Sequence, residues 1–234
     1  MFHSRDFVLI FENFKLPSTN FGIAVMSKPK IAIVTSYYER KKSSISQRHQ
    51  TYLMALDSVQ CYARMHNYEF IMIDLKNFEY NKSRCAHPDP LFSRHCILAE
   101  YMEKRADLSY FLFIGGDMGV INPMHKIEEY IIPGMDLFFY YRLGILRFKN
   151  GSFVTPSVKH DVKRKDINFW GLFDIMADSF ILRNTNYSRT FLRHWADSYY
   201  RVKPFGTNAY HNDNPVLHFL WIILPKIKIY VSSC

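Results

Sequence analysis

Short apolar runs alternate with longer amphipathic stretches along most of this chain. Residues 31–35 form a nearly all-apolar, β-branched run, which is typical of a strand buried on both faces of a parallel sheet. Residues 47–66 place Tyr52 and Leu56 on one face of a helix, and residues 70–75 form a second apolar run. The pattern predicts a strand, a helix and a second strand in succession.

The same alternation continues towards the C-terminus. A helix is predicted over residues 91–105, and a strand over residues 110–114 ends at a glycine-rich turn. Further strands are predicted at 136–142, 178–183 and 227–231, and further helices at 187–200 and 215–224, the last with Asp213 and Pro215 at cap positions. Together these elements predict an α/β fold with a mainly parallel central sheet flanked by helices and joined by right-handed crossovers.

The length of 234 residues fits one domain with an extension. Residues 1–28 are irregular and predict an N-terminal extension, and residues 29–234 predict a single domain without internal repeats. No stretch approaches the roughly 18 apolar residues that a membrane span needs, so the chain as given is predicted to be soluble. The first ten residues also lack the layout of a signal peptide.

Composition narrows the class of protein. Hydrophobic residues make up 48% of the chain and aromatic residues 17%, which excludes disordered, collagen-like and low-complexity proteins. The net charge of +9 favours anionic partners such as phosphates, nucleotides, nucleic acid or a membrane surface, without choosing among them. The basic residues of 159–166 predict a solvated loop rather than a nucleic-acid patch, and no nucleic-acid partner is expected.

Four cysteines and three glycosylation sequons bear on the compartment. Cys61, Cys85, Cys96 and Cys234 show no paired CxxC spacing, which argues against structural zinc and gives no support for a disulfide framework, so we expect free buried thiols. The sequons begin at Asn81, Asn150 and Asn186, and their number is only slightly above chance for this composition. The sequence alone therefore assigns no compartment.

One acidic residue stands where an α/β protein is expected to bind its ligand. Asp117 directly follows the predicted strand at 110–114, and ligands of such sheets lie at the carboxyl ends of the strands. The alternative is that Asp117 only caps a turn beside Gly116 and Gly119.

Four segments of the chain resemble segments of GT-A type glycosyltransferases, in the same order. Residues 110–123 resemble the metal-site segment, in which a buried strand ends in Asp-x-Asp, and residues 92–101 resemble the helix with a donor-contacting arginine in glycogenin-like and galactosyltransferase-like members. Residues 177–184 resemble the Ala-Gly strand, and residues 211–218 resemble an Asp-Gln or Asp-Asn-Gly segment that opens a later helix.

From about Lys30 to its end, the chain most resembles an uncharacterised, nematode-expanded family of nucleotide-diphospho-sugar transferase-like proteins. The resemblance implies a GT-A type, Rossmann-like fold and transfer of a sugar from a nucleotide-diphosphate donor to a hydroxyl group of a glycan or protein. It also implies that the C-terminal part of the family's domain is missing here, and it suggests the Golgi lumen. Two positions depart from the pattern: Gly115 replaces the first Asp of Asp-x-Asp, and Asp178 replaces the glycine after Ala177.

The resemblance also implies roles for single residues on the donor side. Asp117 and His218 would bind Mn²⁺ or Mg²⁺, which favour oxygen ligands, an imidazole being acceptable to Mn²⁺. A divalent cation neutralises the leaving diphosphate in such reactions. His218 is alternatively a core histidine, because the family's metal histidine follows a later strand.

Donor contacts are implied for Arg94, Thr35, Tyr37 and Gly116. Arg94 would hold the diphosphate, and Thr35 and Tyr37 match the region that contacts the nucleotide base. For Arg94 the alternative is a surface ion pair with Glu100 or Asp89.

The matching segment assigns catalytic roles to Asp213, near the acceptor, and to Asn214, which would bond sugar hydroxyls. Helix capping would equally explain Asp213. Two rival functions remain open: a catalytically decayed protein that still binds nucleotide or carbohydrate, and a nucleic-acid binder that only the charge supports.

Overall fold

The computed structural model describes residues 28–37, 47–75, 84–141, 146–147, 153–154, 175–202, 213–223 and 229–232. Its strands are β1 (Ile31–Tyr37), β2 (Glu69–Asp74), β3 (Tyr110–Gly115), β4 (Leu137–Tyr141), β5 (Leu146–Arg147), β6 (Phe153–Val154), β7 (Ile175–Arg183) and β8 (Ile229–Ser232). Its helices are α1 (Gln47–His66), α2 (Pro90–Lys104), α3 (Asn186–Val202) and α4 (Asp213–Ile223), with a short 3₁₀ helix at Ile127–Tyr130.

Within these ranges the main sheet has six strands in the order β2-β1-β3-β7-β4-β8. Strand β7 is antiparallel to both of its neighbours, whereas β1 is parallel to β2 and β3, and β4 is parallel to β8. Five strands therefore run in one direction and β7 in the other. The predicted α/β fold with a mainly parallel sheet flanked by helices is confirmed, and β7 is the strand that makes it mixed.

Both faces of the sheet are buried, which explains the near-continuous apolar runs. In β3, Phe111 and Phe113 pack into one core, while Leu112 and Ile114 pack into the other. The first core also contains apolar residues of α2, α3 and α4, and the second contains residues of α1. Alternate side chains of a strand point to opposite faces, so a strand covered by helices on both sides needs apolar residues throughout.

Helix α2 packs on the sheet beside α3, and this position explains its unusual burial. It begins after Asp89, whose side chain accepts a hydrogen bond from the Leu91 amide at 2.8 Å, and Pro90 occupies the first turn. Ten of its residues are buried, among them the polar Arg94, His95 and Glu100. The N-terminal half of α2 therefore carries ionisable groups into the interior.

The expectation of free, buried thiols is wrong for three of the four cysteines. Cys85 and Cys96 form a disulfide that ties the segment before α2 to the helix itself, and Cys61 is free but exposed. The fourth cysteine, at position 234, and the basic segment 159–166 lie outside the described residues. The pair could not be predicted from the sequence, because a separation of 11 residues matches no known cysteine motif.

Loss of this disulfide is expected to lower the free energy of unfolding by roughly 2–3 kcal/mol, because the open chain gains the conformational freedom of a short loop. Urea unfolding of the Cys85→Ser/Cys96→Ser variant measures the change. The Cys61→Ser variant is the matched control and should unfold like the wild type, since the Cys61 thiol is exposed and free among the described residues. Equal unfolding curves for all three proteins would contradict the prediction.

None of the described helices has both the length and the apolar character that a membrane-spanning helix requires.

Candidate functional site

Strands β1 and β3 end side by side, which brings their following residues to one edge of the sheet. They are parallel neighbours, with Ser36 opposite Gly115. A Cβ atom on Gly116 would lie 3.1 Å from the carbonyl oxygen of Ser36 and 3.8 Å from the hydroxyl of Thr35. Gly116 therefore allows the turn after β3 to pass close to β1.

Asp117 lies in this turn, two residues beyond the end of β3. The turn is closed by a hydrogen bond from the Met118 amide to the Gly115 carbonyl at 3.0 Å, and the side chain of Asp117 is exposed. Partial desolvation raises the pKa of the Asp117 carboxyl above its ordinary value, although a hydrogen bond from its own amide opposes this. The negative charge of Asp178 raises the pKa further, and Arg94 lowers it. A cation beside Asp117 and Asp178 would relieve their repulsion.

Strand β7 begins at the same edge, because it is antiparallel to β3. Ser179 pairs with Ile114, so Ala177 and Asp178 lie next to Gly115. A Cβ atom on Gly115 would be 3.1 Å from Asp117 Oδ1 and 3.4 Å from Asp178 Cβ. Positions 115, 117 and 178 thus face one small region of the surface.

Arg94 of α2 reaches the same region from inside the protein. Its side chain is only 5% exposed, and its Nη2 donates to Asp178 Oδ1 at 2.9 Å and to Asp213 Oδ2 at 2.5 Å. Nη2 also lies 3.3 Å from the Ala177 carbonyl. Burial lowers the pKa of Arg94, but Asp213 and Asp178 together raise it above its ordinary value. Arg94 is thus a buried cation held by one buried and one half-exposed carboxylate.

Asp213 is the centre of a buried polar network. Its side chain is 2% exposed and accepts hydrogen bonds from Arg94 and from His95 Nε2, the latter at 2.8 Å. The indole of Trp195 donates to the Asp213 carbonyl at 3.0 Å. Burial raises the pKa of Asp213, and Arg94 and His95 outweigh it, so the carboxyl pKa is lowered.

His95 is neutral in this network. Burial lowers its pKa to about 4, although the hydrogen bond to Asp213 acts in the opposite direction. Its ring stacks on Trp195 with a centroid distance of 3.7 Å and an interplanar angle of 13°. Since Nε2 donates to Asp213, we assign the proton to Nε2. Nδ1 has no hydrogen-bond partner among the described residues.

The structure bears on the alternatives that the sequence left for Arg94 and Asp213. Arg94 is not a surface residue, and among the described residues its ion pairs are with Asp178 and Asp213 rather than with Glu100 or Asp89. Asp213 opens α4, and its carboxylate faces Arg94 and His95, so it does more than begin the helix. In this geometry Asp213 positions Arg94, and its catalytic role stays a prediction.

The remaining predicted residues fall into two groups. Thr35 is buried near Gly116, and Asn214 Oδ1 accepts a hydrogen bond from the Ala177 amide at 3.0 Å, which fixes α4 to the start of β7. Tyr37 is the last residue of β1 and His218 lies in α4, but both side chains lie outside the described part of the chain. The roles assigned to all of these residues stay predictions.

Three residues of the site had no role in the sequence interpretation. Asp178 stands out in the sequence only because it replaces a glycine, and His95 and Trp195 belong to no motif. Helical periodicity could have identified His95. Its neighbours Phe92, Cys96 and Leu98 are apolar, so this side of the helix is expected to be buried. A buried histidine there needs a hydrogen-bond partner.

The described residues at this edge of the sheet could supply only some of the ligands that a cation needs. No group of three or more His, Cys, Asp or Glu side chains in the described residues could hold a metal ion. Asp117 and Asp178 nevertheless offer two neighbouring, accessible carboxylates, and their mutual repulsion is what a hard cation removes. Such an ion would need further ligands from water or from a phosphate.

Comparison with known proteins relates the chain to a sequence family and a solved structure. Residues 59–164 match the model of a family described as "Protein of unknown function, DUF273", a segment that contains Arg94 and Asp117 but ends before β7. The chain is also similar to the crystal structure of a glycosyltransferase involved in the glycosylation of the major capsid of PBCV-1, with a TM-score of 0.53, 15% identity, and coverage of 88% of this chain and 82% of that one. No curated protein matches the sequence. The fold is therefore similar to that of a glycosyltransferase.

Proposed function

We propose that this protein is a GT-A type glycosyltransferase that moves a sugar from a nucleotide-diphosphate donor to a hydroxyl group of a glycan or protein. The observation that carries the proposal is the meeting of Asp117, Asp178 and the buried Arg94 at the carboxyl ends of β1 and β3, in a fold similar to a glycosyltransferase. Open α/β sheets bind their ligands at this edge.

The chemistry requires charge neutralisation. A nucleotide sugar has an anionic diphosphate, and cleavage of the sugar–phosphate bond leaves more negative charge on it. Mn²⁺ or Mg²⁺ held by Asp117 and Asp178 would supply this neutralisation when bound. Arg94 contributes a fixed positive charge beneath the site, because Asp213 keeps its guanidinium in one place.

Two further residues shape the donor site. Gly116 keeps the turn close to β1, so the donor can approach backbone rather than side chain at this point. Thr35 has a buried hydroxyl without a hydrogen-bond partner in the described part of the chain, and we assign it to the donor's nucleotide side together with Tyr37. Asn214 links α4 to β7, where it would orient the sugar end.

A second candidate is a descendant that binds nucleotide or carbohydrate without turnover. Gly115 stands where the expected metal motif has a carboxylate, and Asp178 already forms an ion pair with Arg94. Thermal unfolding with a panel of nucleotide sugars, each with Mn²⁺ and with chelator, distinguishes the functions. A glycosyltransferase is stabilised by its donor only with Mn²⁺ and also releases nucleotide diphosphate, whereas a decayed binder shows stabilisation without release. No stabilisation under any condition would remove both.

Restoring the missing acid in the Gly115→Asp variant is expected to strengthen Mn²⁺ binding about ten- to a hundredfold. The new carboxylate would join Asp117 and Asp178, and a charge-assisted contact is worth about 1.5–3 kcal/mol. The backbone at Gly115 is not in the left-handed region, and the closest contact is the movable end of Asp117.

The matched control is Gly115→Asn, which has nearly the same shape without the charge. Mn²⁺ titration of the three proteins, followed by calorimetry, measures the difference. If the aspartate and asparagine variants are both folded and bind Mn²⁺ as weakly as the wild type, positions 117 and 178 do not form a cation site.

A further inference from the structure

Asn186 combines a sequon with an exposed position. It is the first residue of α3, it is exposed like Arg183, Tyr187 and Thr190 around it, and it opens the sequence Asn186-Tyr187-Ser188. Asn-X-Ser is the acceptor sequence for N-linked glycans when the chain enters the secretory pathway. A sequon alone does not show that the chain does so.

The Cys85–Cys96 disulfide is an independent observation that points to the same compartment. Disulfides persist in oxidising environments such as the secretory lumen and are rare in the cytosol. The bridge is built into the structure, since the hydroxyl of Ser93 donates to the Cys85 carbonyl at 3.3 Å and the linked residues are buried. It therefore forms part of the folded core rather than an exposed, exchangeable pair.

We propose that the protein folds in an oxidising compartment of the secretory pathway and that Asn186 there carries an N-linked glycan. The donor is a lipid-linked oligosaccharide diphosphate. Asn186 Nδ2 forms the new bond to the sugar's anomeric carbon, the bond from that carbon to the diphosphate oxygen breaks, and the Nδ2 proton passes to a base of the transferring enzyme. The diphospholipid leaves.

The location of Asn186 keeps such a glycan away from the candidate site. Strand β7 runs from Asp178 at the site to Arg183, where it pairs with Tyr110 at the opposite end of β3. Five residues of strand span about 17 Å. A glycan at Asn186 thus projects from the opposite edge of the sheet and leaves Asp117 and Asp178 open.

The surroundings of Ser188 set the order of events. Its side chain is buried, and its hydroxyl lies 3.1 Å from Thr185 Oγ1 and 3.3 Å from the carbonyl oxygen of Asp136. The enzyme that transfers the glycan must recognise the hydroxyl of Ser188, which it cannot reach in the folded chain. The glycan is therefore added before α3 packs against the sheet.

Peptide mapping of the full-length protein from its own cells tests the proposal. Thiols are alkylated before digestion without reductant, and the glycan is removed by an amidase in heavy-oxygen water, which marks each occupied asparagine. We expect a Cys85–Cys96 linked peptide and a marked Asn186. The Asn186→Gln variant, expressed in the same cells, should lose one glycan, whereas Tyr187→Phe, which keeps the sequon, should retain it.

Each other result overturns a stated part of the proposal. Alkylated Cys85 and Cys96 in the native protein would remove the oxidising compartment. A formed disulfide with unmarked Asn186 would remove the glycan site. Glycosylation of the purified, folded chain by the transferring enzyme would contradict the order of events. None of these results depends on whether the protein transfers sugars.

Discussion

Replacing Asp213 with alanine is expected to lower the free energy of unfolding by about 3–5 kcal/mol. The substitution leaves Arg94 as a buried cation whose remaining ion pair, among the described residues, is with the half-exposed Asp178. Breaking a buried ion pair on one side costs this much. It also takes the hydrogen-bond acceptor from His95. Urea unfolding followed by circular dichroism measures the loss.

Asp178→Ala is the matched control for this prediction. It removes the other carboxylate that binds Arg94, but Asp178 is 49% exposed, and ion pairs with solvent access contribute about 0–1 kcal/mol. The double variant Arg94→Met/Asp213→Leu should recover most of the loss, because it replaces both charges by apolar groups. Equal losses for Asp213→Ala and Asp178→Ala would contradict the buried network.

Acidification from pH 6.5 to pH 4 is expected to lower the free energy of unfolding by roughly 2.5 kcal/mol through His95 alone. Burial depresses the pKa of His95 to about 4 in the folded protein, whereas an unfolded histidine titrates near 6.5. In this range the histidine is protonated in the unfolded chain but remains largely neutral in the folded protein. The free energy of unfolding therefore falls by up to about 1.4 kcal/mol for each pH unit of acidification. Asp213, whose pKa is lowered, loses its contribution only at more acidic pH.

The variant His95→Gln isolates this effect. Its amide can still donate to Asp213 but does not titrate, so its stability should vary less with pH in the same range. Urea unfolding at half-unit steps of pH measures both proteins. Parallel pH profiles for wild type and variant would show that His95 is not the group responsible.

The sequence predicted the elements well where apolar residues recur regularly. Helix α1 occupies the predicted residues 47–66. The strand predicted at 110–114 is one residue shorter than β3, and the strand predicted at 136–142 is one residue longer than β4 at each end. Strand β7 begins at Ile175 rather than 178 because its first residues are also buried in the sheet. Each of these patterns lies within one segment, so the segment's secondary structure can be predicted without knowledge of the tertiary fold.

The site was predictable only in part, because its contacts join distant positions. Asp117 and Gly116 could be placed from the strand before them, but Arg94 and Asp213 are 119 positions apart in the sequence. Their pairing depends on how α2, β7 and α4 pack, which no single segment determines. The Cys85–Cys96 disulfide was missed for a related reason, since only the geometry of the helix start brings the two residues together.

The most direct test of the proposed function is a calorimetric titration of the wild type and Asp117→Asn with a series of nucleotide-diphosphate sugars, with Mn²⁺ and with chelator. We expect at least one donor to bind the wild type with Mn²⁺. We expect chelator or Asp117→Asn to weaken this binding at least tenfold, while the variant keeps its unfolding temperature. Donor binding that is identical with Mn²⁺, with chelator and in Asp117→Asn would contradict a cation-dependent donor site at this edge of the sheet.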